Sequence, residues 1–171
     1  MRLSLLLSCL LLSACAMTGK SIKDVPAVDA AKIQVPPFSG LERRTLSLSI
    51  IDERKPEFKN NSEELRAELN KAITEALAKE KITVQASGAN SLVVSIHDTQ
   101  MNKFKEGCVR ISGSLIIPKK AKLNAEASGC YELRHPFGFK MGTDITKAYE
   151  ESLSLFFKNL DQALGQLHLK M

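Results

Sequence analysis

The chain has little of what makes catalytic and metal centres legible. It holds three histidines, His97, His135 and His168, and none stands at a metal-ligand spacing such as His-x-x-x-His. No Gly-x-Ser-x-Gly elbow accompanies His97-Asp98, the one dipeptide placed to orient a serine nucleophile. These absences argue against a metalloenzyme and against a hydrolase. No internal repeat is visible. The N-terminal apolar run, Leu3 to Leu12, is well short of the roughly 20 residues that a spanning helix needs. Cysteine is sparse, four in 171 residues, and that scarcity gives each one a separate expected fate.

What is present at the N-terminus is an address. Arg2 supplies a positive start, Leu3–Leu12 a short apolar region, and Ser13-Ala14 the small residues before Cys15. Together these are the parts of a secretory signal peptide. Leu12-Ser13-Ala14-Cys15 resembles a bacterial lipobox, which implies a diacylglycerol on the Cys15 sulfur, cleavage before Cys15 and an N-acyl chain on its amine. The chemistry needs a thiol, because the sulfur is the alkylated group. Cys9 in Leu6-Leu7-Ser8-Cys9 is a poorer lipobox, since its apolar region would be too short. Each buried CH₂ contributes about 0.8 kcal/mol, so two or three chains anchor where one would not. Ala16, where an acidic residue would signal inner-membrane retention, points to the outer membrane, with the domain facing the periplasm. No cofactor is expected beyond these covalent acyl chains.

The expected organisation is a signal peptide over 1–14, a lipidated Cys15 with a flexible tether over 15–44, and one domain over 45–171. Thr18-Gly19-Lys20-Ser21, Pro26 and Pro36-Pro37 carry no sustained period, which suits a tether. Ile33 and Val35 alternate and would suit a short edge strand. The net charge of +5 is a mild excess, with basic residues at Lys103 and Lys105, at Lys119, Lys120 and Lys122, and at Arg134 and Lys140. This reads as a solvated basic surface, or as attraction toward anionic envelope polymers or lipid head groups. Nucleic acid is not an expected partner, because the signal peptide sends the chain away from it.

Along the domain, Leu46, Leu48 and Ile50 alternate with serines, the period of a half-buried strand. Asn61 or Ser62 starts a helix whose apolar stripe is Leu65, Leu69, Ala72, Ile73, Ala76 and Leu77. Ile82–Val84 and Leu92–Ile96 read as further strands. Thr143-Asp144 is the expected cap of a last helix, with Ile145, Ala148, Tyr149, Ser152, Phe156, Leu160 and Leu164 on its buried face.

The clearest feature lies between. Cys108–Ile117 and Ala121–Leu133 form two strands around Pro118-Lys119-Lys120. If the turn centres on Lys119, Leu115 faces Leu123, Gly113 faces Ala125, Ile111 faces Ala127 and Val109 faces Gly129. The other face pairs Ser114 with Asn124, Ser112 with Glu126 and Arg110 with Ser128. A slip of one residue would put every side chain on the wrong face. The same register sets Cys108 opposite Cys130 on the polar face, close enough for a cross-strand disulfide in an oxidising compartment.

The element order predicts an α+β fold: one antiparallel or mixed sheet of about four to five strands, with two long helices side by side on one face. The lipobox, Asp52-Glu53-Arg54 ending a strand, the capped helix, the long hairpin and Asp144-Ile145-Thr146-Lys147-Ala148 together resemble the YajG-like family of bacterial lipoproteins. ABC-transporter auxiliary lipoproteins are a looser likeness. The resemblance implies an outer-membrane lipoprotein with no catalytic residues to carry over. Asp52 and Arg54 suit a charge-assisted lock on the turn between strand and helix. Phe137 and Phe139, flanked by Arg134, suit an exposed contact loop or a plug for the core.

These readings favour a non-catalytic, lipid-anchored periplasmic domain that contacts another envelope protein. A second possibility is a binder of lipid or anionic glycan through the basic turns, and a third is an enzyme.

Overall fold

The computed structural model describes residues 25–56, 59, 61–97, 100–102, 106–132 and 141–169. Cys15, Lys103, Lys105, Arg134, Phe137 and Phe139 lie outside them, as do the signal peptide and the first part of the expected tether.

The alternating segment forms β1 (Thr45–Asp52), followed by α1 (Ser62–Lys79), β2 (Thr83–Val84), β3 (Asn90–Ile96), β4 (Gln100–Asn102), β5 (Glu106–Ile117), β6 (Ala121–Glu132) and α2 (Met141–His168). The six strands make one mixed sheet in the order β2-β1-β3-β5-β6, with β4 pairing the same strand, β5. β1 is parallel to β2 and to β3, whereas β5 is antiparallel to β3, β4 and β6. α1 therefore serves as the crossover between parallel neighbours. The register steps by one between Ile96↔Ile111 and Gln100↔Cys108, so one extra residue is accommodated between β3 and β4.

The hairpin has the register expected from its two faces, from Ile117↔Ala121 through Cys108↔Cys130. Lys119 stands at the turn with φ 62°. Cys108 and Cys130 are joined as a disulfide, with Cα atoms 4.0 Å apart.

Both helices pack on one face of the sheet, against Leu46, Leu92, Ile96, Val109, Ile111 and Leu115. α2 begins at Met141, so Thr143 and Asp144 lie within its first turn and not ahead of it. It seats on the hairpin where the inward residues are small. A Cβ on Gly129 would collide with the Ala148 carbonyl oxygen and lie 2.8 Å from the Ser152 nitrogen. Fully buried Ser152 pins this approach: its hydroxyl accepts from the Gly129 N–H and donates to the Val109 carbonyl.

The helices do not lie against each other as expected. No Cα of α1 comes within 8 Å of one in α2 among the described residues. The space between is filled by residues 25–41, which were expected to be tether. Val28, Ala30, Ile33, Phe38 and Leu41 are buried in the same core as the helices, and Phe38 meets Phe157 edge-on at 6.3 Å. Each helix also holds the segment by hydrogen bonds. From α1, Glu68 accepts the Val28 N–H at 3.1 Å and Lys79 donates to the Ala30 carbonyl at 2.8 Å. From α2, Glu150 accepts the Asp29 N–H at 3.1 Å and Ser154 the Gln34 N–H at 2.9 Å. Ile33 and Val35 form no strand; between them the Gln34 N–H donates to Ser154 of α2 instead.

The seat of α2 gives a direct test. Gly129→Ala is expected to lower the unfolding free energy by about 1–3 kcal/mol, the range for overpacking a tight contact. Urea unfolding measures it, and parent-like stability would mean that α2 does not rest on β6 this closely.

Candidate functional site

Alternation along the strands leaves the second face of the sheet without a helix among the described residues. Ser47, Ser91, Ser95, Ser112, Ser114 and Ser128 all point there, because their inward neighbours are the core residues. Ser47 and Ser91 share a hydrogen bond at 2.9 Å. Ser95 and Ser114 are buried even on this face.

At one end of this face the strands bring together residues that are distant in sequence. Glu53 follows β1, and its N–H donates to the Ile96 carbonyl at 2.9 Å. His97 follows β3, and its N–H donates to the Arg110 carbonyl at 3.0 Å. The Glu53 carboxylate accepts from the Ser95 hydroxyl at 3.3 Å and lies 3.3 Å from His97 Nδ1. A carboxylate can only accept, so in the neutral ring Nδ1 carries the proton and Nε2 is the acceptor. The Ser112 hydroxyl, 2.7 Å from Nε2, is then the donor to it. Glu53, His97 and Ser112 thus stand in one row across three adjacent strands, joined by a hydrogen bond at Ser112 and a 3.3 Å polar contact at Glu53.

Ser112 also lines a shallow trough of about 540 Å³ floored by Val93, Ser95 and Ser114, with Lys122 and Asn124 beside it. Arg110 is on the same face, 3.5 Å from Glu126, and its buried Nε has no hydrogen-bond partner among the described residues. Sequence reading pointed to Asp98 beside His97, but Asp98 lies outside the described residues and the carboxylate that meets the ring is Glu53. The signal that finds it is the parallel register Asp52↔Ile96, which sets the next residues, Glu53 and His97, side by side.

The strand-to-helix lock is also present. Arg54 Nε and Nη2 meet the two Asp52 carboxylate oxygens at 2.9 and 2.7 Å, with side chains 12% and 3% exposed. Arg54 also donates to Asn61 Oδ1 at 3.2 Å, so this expected cap residue makes no side-chain cap bond to the helix. Burial alone would raise the Asp52 pKa; hydrogen bonds from Arg54 and Ser62, with the Arg54 charge, outweigh it and hold the group at about 2, against an ordinary 3.8.

The basic residues expected to make contacts are not gathered at one place. Lys119 and Lys120 are exposed at the hairpin tip, where Lys120 pairs with Glu42 at 2.7 Å. They border a cleft of about 450 Å³ whose apolar lining includes Leu41, Ile117, Leu164 and Leu167. Lys122 is on the open sheet face. No cluster of three or more His, Cys, Asp or Glu residues that could hold a metal occurs among the described residues, and no described helix is long and apolar enough to cross a membrane.

No family model and no curated protein matches the chain. Among solved structures, it is similar to protein XCC0632 from Xanthomonas campestris, of family DUF330: TM-score 0.52 and 9% identity over 85% of this chain and 98% of that one. A minor lipoprotein from Acinetobacter baumannii matches with TM-score 0.40 and 10% identity, over 75% of this chain and 95% of that one. At such identities the likeness to XCC0632 speaks for the fold.

The lock predicts a pH dependence. Because the folded-state pKa of Asp52 is lowered, its stabilisation is complete above the ordinary value and disappears as pH falls toward 2; the shift corresponds to about 2 kcal/mol. The gap in unfolding free energy between the parent and Asp52→Asn should therefore shrink between pH 4 and 2. A gap that is constant with pH would remove the ionised pair from the account.

Proposed function

We propose that the protein is a lipid-anchored accessory domain of the bacterial envelope, held by acyl chains on Cys15 and contacting another envelope protein. This reading places it among lipoproteins of the YajG-like kind, at the outer membrane and facing the periplasm, and asks no catalysis of it. The observation that carries it is the packing of residues 25–41 between the helices. If Cys15 bears the lipid, Val25 follows it by ten positions, a span of at most about 35 Å. Such a domain does not roam on a long tether; it works close to the bilayer, and its contacts are with components that lie there. The hairpin-tip cleft beside Lys119 and Lys120 favours a second reading, in which an anionic lipid or glycan is the bound component. Salt separates the two, since binding through exposed lysines falls steeply with ionic strength.

In-cell crosslinking with mass spectrometry tests the first reading, comparing the parent with a Cys15→Ser form that is secreted without lipid. Discrete protein partners are expected with the anchored form and should be lost with Cys15→Ser. Absence of protein partners in both forms would sink the accessory reading.

A further inference from the structure

We propose that Ser112 is a reactive nucleophile, activated by His97 and Glu53, that accepts an acyl group from a small carboxylic ester. The proposal goes beyond the accessory reading and rests on different residues.

The geometry is that of a base poised on a hydroxyl. His97 Nε2 is 2.7 Å from Ser112 Oγ, and Glu53 stands 3.3 Å from Nδ1, where it fixes the tautomer and would stabilise the imidazolium. Glu53 is steadied in turn by the Ser95 hydroxyl. Ser112 sits on β5, paired on one side to β3 and on the other to β6. His97 and Glu53 are each fixed by a backbone bond to a neighbouring strand. Placement on a sheet holds reacting groups more tightly than placement on loops.

The trough supplies room beside the hydroxyl. Its floor of Val93, Ser95 and Ser114 is shallow and largely hydroxyl-lined, which suits an acetyl-sized group on a polar carrier better than a long acyl chain. The ladders on both sides of β5 occupy its backbone N–H groups, so donors to a developing oxyanion must be side chains. Asn124 and Lys122 line the same trough and are the candidate donors; Glu126, opposite Ser112 on β6, lines it too, with its carboxylate 3.5 Å from the Arg110 guanidinium.

The step balances without any further reagent. The Ser112 oxygen bonds to the ester carbonyl carbon as its proton moves to His97 Nε2. The ester C–O bond then breaks, and the imidazolium returns that proton to the departing alkoxide, leaving acyl-Ser112 and an alcohol. Water, losing a proton to His97, attacks the acyl carbon; the bond to Ser112 breaks, the proton restores the hydroxyl, and a carboxylic acid leaves.

The alternative is a purely structural hydrogen-bond chain that ties three strands. The full-length protein is incubated with a fluorophosphonate probe, and in parallel with p-nitrophenyl acetate, and the adduct is located by peptide mass mapping. One adduct on Ser112 is expected in the parent. Labelling should fall at least 100-fold in His97→Ala and at least 10-fold in Glu53→Gln, while a variant at exposed Ser128, which does not line the trough, Ser128→Ala, labels like the parent. No adduct on Ser112 in the folded parent overturns the proposal. So does an adduct that forms as fast in a His97→Ala protein with parent-like circular dichroism.

Discussion

Two carboxylates on different helices hold one turn of chain. Glu68 of α1 and Glu150 of α2 accept the consecutive amides of Val28 and Asp29, and Glu150 is buried as it does so. A buried carboxylate costs free energy unless its oxygens are satisfied, and for Glu150 the Asp29 N–H, with Lys32 3.9 Å away, helps to meet that need. The apolar side chains that follow join the core shared with the two helices, no Cα of which comes within 8 Å of the other among the described residues. Much else rests on this wedge: the spacing of α1 and α2, the edge-on contact of Phe38 with Phe157, and the approach of the chain to β1 through Arg44, which binds the carbonyls of Pro37 and Glu80.

The sheet divides the remaining work between its faces. Inward positions are large over α1 and small over the hairpin, where glycine and alanine let α2 descend until Ser152 bonds the strand backbone. Serine is the commonest residue at the outward positions. A hydroxyl is too short to build a hydrophobic layer, so this face stays open and polar, and the few longer side chains on it can meet one another. The Glu53–His97–Ser112 chain and the Cys108–Cys130 disulfide both belong to that outward set.

The hairpin was legible because two faces constrain one register: a pairing that put Leu115 on Leu123 also had to put Ser112 on Glu126, and only one alignment did both. The helical stripes were legible for the same kind of reason. The wedge was not, because residues 25–41 have no period; what orders them is backbone hydrogen bonding to Glu68, Glu150 and Ser154, residues about 40 or 120 positions away. Two helices with apolar stripes suggested a direct contact, and nothing local announced that a third segment would come between them. The open-face chain was half legible. His97 stood out as a residue at a strand end, but its partners come from β1 and β5 and depend on pairings that a single strand does not declare.

Hydrogen exchange on the intact protein tests the central claim, that residues 25–41 are part of the folded core. If the wedge is in place, the amides of Val28, Asp29 and Gln34 exchange as slowly as those of α1 and β3, since opening them requires the helices to part. Exchange of these amides at the rate of an unstructured chain, while α1 and β3 stay protected, would contradict it and return the segment to the tether.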